Sequence, residues 1–451
     1  MKRVLLAGAG LFALAVAAQP AAAADVPIAR PIHKAPVAPP IFDWTGWYGG
    51  VNAGVGISQT RAATVGELGS FDRSGAGFTG GVQGGYNWQF NPHWVAGLEG
   101  DIGWLGIDRS FQHFDATIRV SGVKTDWYGT IRGRLGYTSS PSLFYVTGGA
   151  AFVNVKNNAD DVGGTPLPAS KSGIASGWTV GGGIETMLGG NWSARAEYLY
   201  IDAGSQDVFN SDFGELIRFD NRFHVFRYGL NHRFGGTGMR DAALPSYNWT
   251  GFYVGAHAGA GLSQVHATAP IFNSGAVDIA GAGFTGGIQG GYNWQISRAW
   301  VAGIEADFAW LGIDRSLRSW DSIFTAFGVK TDWYGTIRGR VGYSTGPALL
   351  YVTGGAAWVK VENNFDRLNP GTLASASKSE TATGWTVGGG IEAALAQNWT
   401  AKIEYLYIDA GSQDVFNPLN GTAHFDNHFH VFRFGLNYQF ATGKAPVVTR
   451  Y

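Results

Sequence analysis

Along much of this chain apolar and polar residues alternate one by one, which is the period of a strand and not of a helix. In 124–137, Trp127, Gly129, Ile131, Gly133, Leu135 and Tyr137 share one face, and Asp126, Tyr128, Thr130, Arg132 and Arg134 share the other. The other strands sort the same way. Glu99 and Asp101 oppose Leu98, Ile102 and Trp104, and Glu185 opposes Trp178, Val180 and Ile184. Arg195 and Glu197 oppose Ala194, Ala196, Tyr198 and Tyr200, while Arg227 and Arg233 oppose His224, Phe226, Tyr228, Leu230 and Phe234. The stretch 143–156 is the weakest case, with apolar residues on both faces.

The pattern occurs twice. The 124–137 stretch returns almost unchanged at 330–343, and 77–88, 145–151 and 197–210 return at 283–294, 351–357 and 404–417. The offset between copies is 205 at Trp44/Trp249, 206 at Phe78/Phe284 and 207 at Trp178/Trp385. Such changes belong in loops, because a one-residue slip within a strand inverts every side chain. The strands of copy one are predicted at 44–58, 77–90, 94–107, 123–138, 143–156, 177–188, 192–206 and 222–234. Short turns at 91–93, 139–142 and 189–191 alternate with longer connections at 59–76, 108–122, 157–176 and 207–221. That alternation is the plan of an up-and-down barrel. The expected fold is all-β: two tandem eight-stranded antiparallel transmembrane barrels, at 43–234 and 248–440, joined by a linker at 235–247. A single sixteen-stranded barrel is the alternative, since the near-identical copies permit pairing between them. Complete closing strands and a linker longer than a hairpin turn favour two barrels.

Which face points inward decides between lipid and water. An eight-stranded barrel has an interior just filled by side chains. With the polar face inward, copy one places Glu99, Asp101, Glu185 and Glu197 against Arg132, Arg134, Arg195 and Arg227. Copy two places Glu305, Asp307, Glu392 and Glu404 against Arg338, Arg340, Lys402 and Arg433. Four acids against four bases suit a packed, ion-paired structural interior, because an unpaired buried charge is costly. The opposite arrangement, a lipocalin-like soluble barrel, would bury the aromatic face. Trp88, Trp94, Trp192 and Phe234 cluster beside the short turns, as an interfacial girdle does, and favour the membrane.

Composition agrees. The chain has 451 residues with 69 Gly, no Cys and a formal net charge of −1. There is no electrostatic case for a nucleic-acid partner, no disulfide framework and no acylated cysteine. Residues 1–24 read as a cleaved signal peptide: Lys2 and Arg3, an uncharged run, then alanines before Asp25. Residues 25–42 are a Pro- and Ala-rich linker, and 441–451 form a tail.

Signals for chemistry are weak. The G-x-G-x-x-G match at 75–80, repeated at 281–286, lacks the strand and helix of a dinucleotide site. His424, His428 and His430 form the one histidine cluster, and the last two could share a face and a metal or haem iron. Copy one has Arg222 and His224 in the corresponding places, so an interfacial or loop role is preferred. No catalytic arrangement recurs in both copies; no enzyme, cofactor or metal is expected.

Motifs at 44–48, 84–88, 97–101, 129–137, 143–149, 177–185 and 227–234 together resemble the small outer-membrane barrels of alphaproteobacteria, the Omp25/Omp31-type outer membrane immunogenic and porin-like family. The resemblance covers nearly all of one copy. It implies an abundant outer-membrane envelope protein that contacts lipid and lipopolysaccharide and meets the barrel-assembly machinery during insertion, with an unknown extracellular ligand. Two features depart from the family: there are two copies, and 441–451 follow the terminal aromatic Phe440. The expected role is structural or surface-interacting, with little or no open pore. A porin-like sixteen-stranded channel, and haem or ligand binding by the loops, are the alternatives.

Overall fold

Among the described residues the alternation becomes nineteen strands. The structure is a computed structural model and describes residues 42–64, 70–114, 118–139, 141–161, 169–210, 215–234, 247–269, 276–318, 325–369 and 372–440. The segments expected to be a signal peptide (1–24) and a tail (441–451), and all of the two expected linkers but Phe42 and Tyr247, lie outside the described residues. Copy one holds β1 (Gly46–Thr64), β2 (Ser70–Gln89), β3 (Trp94–Leu105), β4 (Asp108–Phe114), β5 (Ile118–Ser139), β6 (Ser142–Asp161), β7 (Ser170–Gly189), β8 (Trp192–Asn210) and β9 (Glu215–Phe234). Copy two holds β10 (Gly251–Thr268), β11 (Ala276–Gln295), β12 (Trp300–Leu311), β13 (Asp314–Arg318), β14 (Thr325–Ser344), β15 (Ala348–Asn369), β16 (Thr372–Ala374), β17 (Ser377–Ala394), β18 (Trp399–Asn417) and β19 (Gly421–Gln439).

Antiparallel pairing runs β1–β2–β3–β5–β6–β7–β8–β9 and returns to β1. Copy two closes likewise through β10–β11–β12–β14–β15–β17–β18–β19. Each copy's last strand pairs with its own first, Trp47 opposite Phe234 and Tyr253 opposite Gln439. The chain therefore makes two eight-stranded rings and not one of sixteen. The short strands β4, β13 and β16 are return arms beside the outer ends of β5, β14 and β15.

The outer face is apolar. Leu98 is 69% exposed and Ile131 65%, with Ile102, Leu135 and Val180 also bare. Trp94 and Trp104 stand exposed at the two ends of β3. Ten residues at about 3.3 Å each, tilted by about 40°, span about 25 Å, the height of a barrel's lipid-facing band. Trp300 and Trp310 bound β12 in the same way.

Beyond that band the pattern inverts. In β6 the inward residues are Tyr145 and Thr147 low in the barrel and Ala151, Val153 and Val155 above, all buried, while Lys156 is exposed outside. The upper interior of ring one packs these with Leu105, Ile107, Val123, Leu199, Ile201, Phe223 and Val225. This explains the two apolar faces of 143–156. It also explains why strands run well into the connections expected at 59–76, 108–122, 157–176 and 207–221. A pattern whose sign changes partway along a strand hides the strand's continuation.

Bulges change the parity as well. The β5–β6 register shifts between Thr125 and Tyr128, as the β14–β15 register does between Thr331 and Tyr334. Thr125 and Tyr128 are both buried, and Asp126 is exposed. Asp126 therefore leaves the inward face on which strict alternation placed it, because an extra residue re-aims everything beyond it. A second shift separates Asp202 from Ser205. There Gly204 has φ of 73°, and its N–H donates to Asp202 Oδ1 at 3.0 Å.

Candidate functional site: the charged lumen

Inside ring one, the eight charged side chains expected there converge in one network, each at most 2% exposed. Arg132 on β5 pairs with Glu99, with Asp101 at 2.8 Å and with Glu197 at 3.0 Å. Arg227 on β9 pairs with Glu197 at 2.7 Å and Asp101 at 3.1 Å. Arg134 pairs with Glu185 at 3.0 Å. Arg195 on β8 reaches Glu99 on β3. In the ring order β3 and β8 lie diametrically opposite, so this pair crosses the whole lumen.

Ring two repeats the arrangement. Arg338 pairs with Glu305, with Asp307 at 2.7 Å and with Glu404 at 3.2 Å. Arg340 meets Glu392 at 2.9 Å, and Arg433 meets Asp307 at 3.0 Å as well as Glu404. Lys402 on β18 crosses to Glu305 on β12 at 2.8 Å. Again these strands face each other across the ring.

Neutral groups extend the lattice. Tyr48 Oη donates to Glu99 at 2.6 Å and Tyr145 Oη to Glu197 at 3.0 Å. The Arg134 guanidinium lies over both rings, 4.7 and 5.3 Å from their centroids. Tyr128 Oη accepts from Arg227 at 2.9 Å. Asn231 donates to Glu185 at 2.9 Å, and Ser193 donates to the same carboxylate at 2.6 Å. Charge counting alone misses Tyr48 and Tyr145, because an aromatic in such a strand looks lipid-facing. Their signal is parity, since Tyr145 leads by twos to Thr147. An acceptor network of this kind neutralises charge locally and packs tightly; it leaves no exposed base or nucleophile in the lumen among these residues.

The short-turn end is sealed differently in each ring. Arg233 donates to the backbone oxygens of Asp43 at 2.8 Å and Thr45 at 3.0 Å, and it stacks on Phe42 at 4.7 Å. In ring two, Gln439 holds the corresponding oxygens of Asn248 and Thr250 at 3.0 and 3.1 Å. There Tyr247 replaces Phe42 and donates to Gln439 at 2.8 Å. Losing the cation accompanies gaining a hydroxyl. Phe42, assigned from its neighbours to the linker, is a buried part of this seal.

His428 and His430 share a face, both against Tyr407, at 5.9 and 5.4 Å between ring centroids, and His430 also exchanges a hydrogen bond with Tyr405 Oη at 2.8 Å. His424 stands apart near the β18–β19 hairpin, bonded to Asp414 at 2.6 Å. Among the described residues no group of three His, Asp or Glu side chains is placed to hold a metal ion.

Comparison with known proteins gives consistent results. The outer membrane protein beta-barrel domain matches twice, over residues 9–234 and 236–440. The 31 kDa outer-membrane immunogenic protein of Brucella melitensis is 36% identical over 208 residues, which is 44% of this chain and 87% of that protein. The 22 kDa outer membrane protein of Rhizobium leguminosarum is 38% identical over 170 residues, 38% of this chain and 68% of that one. Neisserial surface protein A, a solved structure, covers 42% of this chain and 98% of its own at 16% identity, with a TM-score of 0.23. Each relative is matched over about the length of one copy, and both copies match one domain family: this chain belongs to the outer membrane protein beta-barrel family, and its place is the cell outer membrane.

Proposed function

We propose that this protein serves the envelope as a structural and surface-interacting element, with two filled barrels and little or no open pore. The observation that carries the reading is the pair of lumen-crossing contacts, Arg195 to Glu99 and Lys402 to Glu305. An eight-stranded barrel is just filled by its own side chains, and a lumen bridged by an arginine–glutamate or lysine–glutamate pair, walled by buried tyrosines and topped by an apolar cluster, supports the reading of a barrel closed to a continuous water column. In this reading the sixteen charged residues fill and specify the barrels and perform no catalysis. Buried ion pairs add little net stability over apolar packing, but each leaves a heavy penalty when one partner is removed. They therefore fix one strand register.

Residues 1–24 then direct export and are removed, and 25–42, 235–247 and 441–451 serve as linkers and tail around the barrels. The outer band contacts lipid and lipopolysaccharide, and the assembly machinery inserts both barrels. The extended hairpins at the other rim, polar outside and apolar within, are the surface offered to extracellular partners.

A cell-based comparison tests this role. Deleting the gene is expected to raise sensitivity to detergents and large antibiotics while leaving small-solute uptake unchanged. Slower solute uptake through an otherwise intact envelope would instead assign a channel.

A further inference from the structure

On one side of each ring, apolar residues that face outward are nonetheless buried. Ile184 on β7 is 3% exposed and Phe226 on β9 2%, whereas Val180 and Leu230 on the same strands are bare. What covers them is the other ring. Phe226 lies 6.0 Å from Phe432, Tyr198 lies 5.0 Å from Phe432, and Phe226 lies 5.6 Å from Tyr405. Tyr198 and Tyr405 are equivalent in the repeat, as are Phe226 and Phe432, so the contacts are reciprocal. A Cβ on Gly182 would meet Phe434 at 3.7 Å, and one on its equivalent Gly389 would meet Tyr228, the equivalent of Phe434, at 3.0 Å. Ile57, Ile184 and Ala194 pack in one cluster with Leu262, Ile391 and Phe432.

The strands obey the same rule. Near the short turns β7 meets β17 and β8 meets β18, and toward the hairpins β2 meets β11. Strands of a small barrel tilt by about 40°, so a line up its outer wall crosses several of them in succession. A two-fold axis along that line lays each strand against its own counterpart. This is an isologous interface. It also shelters two polar groups from lipid: His224 bonds Tyr198 Oη and His430 bonds Tyr405 Oη, both at 2.8 Å, on the covered face.

We propose that this outer face is a self-docking surface whose partner is a second barrel of the same kind, and that the tandem chain is a two-fold barrel pair joined covalently. Small residues and glycine slots at the face, with aromatics to fill them, are how surfaces associate within lipid, where apolar burial alone gives no drive.

The chain has no cysteine, so thiol pairs can be placed cleanly in the full-length protein. A protease site set within 235–246 lets the halves be cut apart after treatment with a short thiol cross-linker. Three equivalent pairs, Ile57→Cys/Leu262→Cys, Phe226→Cys/Phe432→Cys and Ile184→Cys/Ile391→Cys, are expected to hold the cut halves together on a denaturing gel. The exposed pair Leu98→Cys/Ile304→Cys is expected to release them. The cut wild-type halves should also co-migrate in mild detergent. Cross-linking no greater than in the exposed pair, cross-links only between separate chains, or separation of the wild-type halves would each overturn the proposal.

Discussion

Arg132 shows what one residue carries. It binds Glu99, Asp101 and Glu197 from the inner end of β5, and Thr130 Oγ1 accepts from its Nε at 2.8 Å. Arg132→Met leaves three carboxylates short of a partner in a closed interior. The expected cost is about 3–5 kcal/mol, read as a lower urea midpoint of the folded, heat-modifiable form. Arg338→Met should do the same to ring two, and a loss near zero in both would show that water reaches these groups. The turn-end seals give a finer test. Arg233→Gln alone forfeits the stacking on Phe42 and should destabilise ring one by about 0.5–1 kcal/mol. Phe42→Tyr added to it rebuilds the Tyr247–Gln439 pair of ring two and should recover most of the loss. At this scale the sixteen charges were legible because charge on alternate positions has few places to go. Tyr48, Tyr145 and Phe42 were not, because an aromatic side chain reads the same whether it meets lipid, a carboxylate or a guanidinium.

Elements were legible only as far as their pattern kept one sign. In β3, where both faces hold character from Trp94 to Trp104, alternation and structure coincide closely. In β5 and β6, apolar residues move from the outer to the inner face above the lipid band, and the bulge at Asp126 and Trp127 shifts parity. No single-period reading can follow both changes. The bulge at Gly204 makes a direct prediction. Its φ of 73° belongs to the left-handed region, where a side chain costs roughly 1–2 kcal/mol. Gly204→Val, and Gly411→Val at its φ of 69°, should lower barrel stability by about that much, measured by urea unfolding, while Gly189-side turns stay unaffected. The outer hairpins should also respond to pH. The hydrogen bond to Asp414, with Asp426 close by, raises the His424 pKa above its ordinary 6.5. A pKa raised on folding contributes stability that is fully present below the unfolded value and is lost as pH rises through the folded one. Hydrogen exchange at the β18–β19 hairpin should therefore quicken above that point, and His424→Gln should remove the pH dependence. Exchange independent of pH, after correction for its intrinsic rate, would count against the pairing.

At the scale of the whole molecule, lipid outside and charge inside is the inversion that sets an outer-membrane barrel apart from a soluble one. It was visible in the sequence because each strand reports both of its faces at once. The division into two rings was less visible, since near-identical copies have near-identical edges and pairing between them differs little from pairing within. Register settles it: Trp47 lies opposite Phe234 and Tyr253 opposite Gln439. Invisible in one dimension was the covered outer face, where Phe226 and Ile184 look like any lipid-facing residue until the second ring stands beside them. The proposed filling of both lumens is put to the test by single-channel recording in planar bilayers. Purified full-length protein should insert without stable, porin-sized conductance steps, and should remain silent across voltage and salt. Reproducible large steps from the folded wild-type chain would contradict a lumen bridged by Arg195 and Glu99.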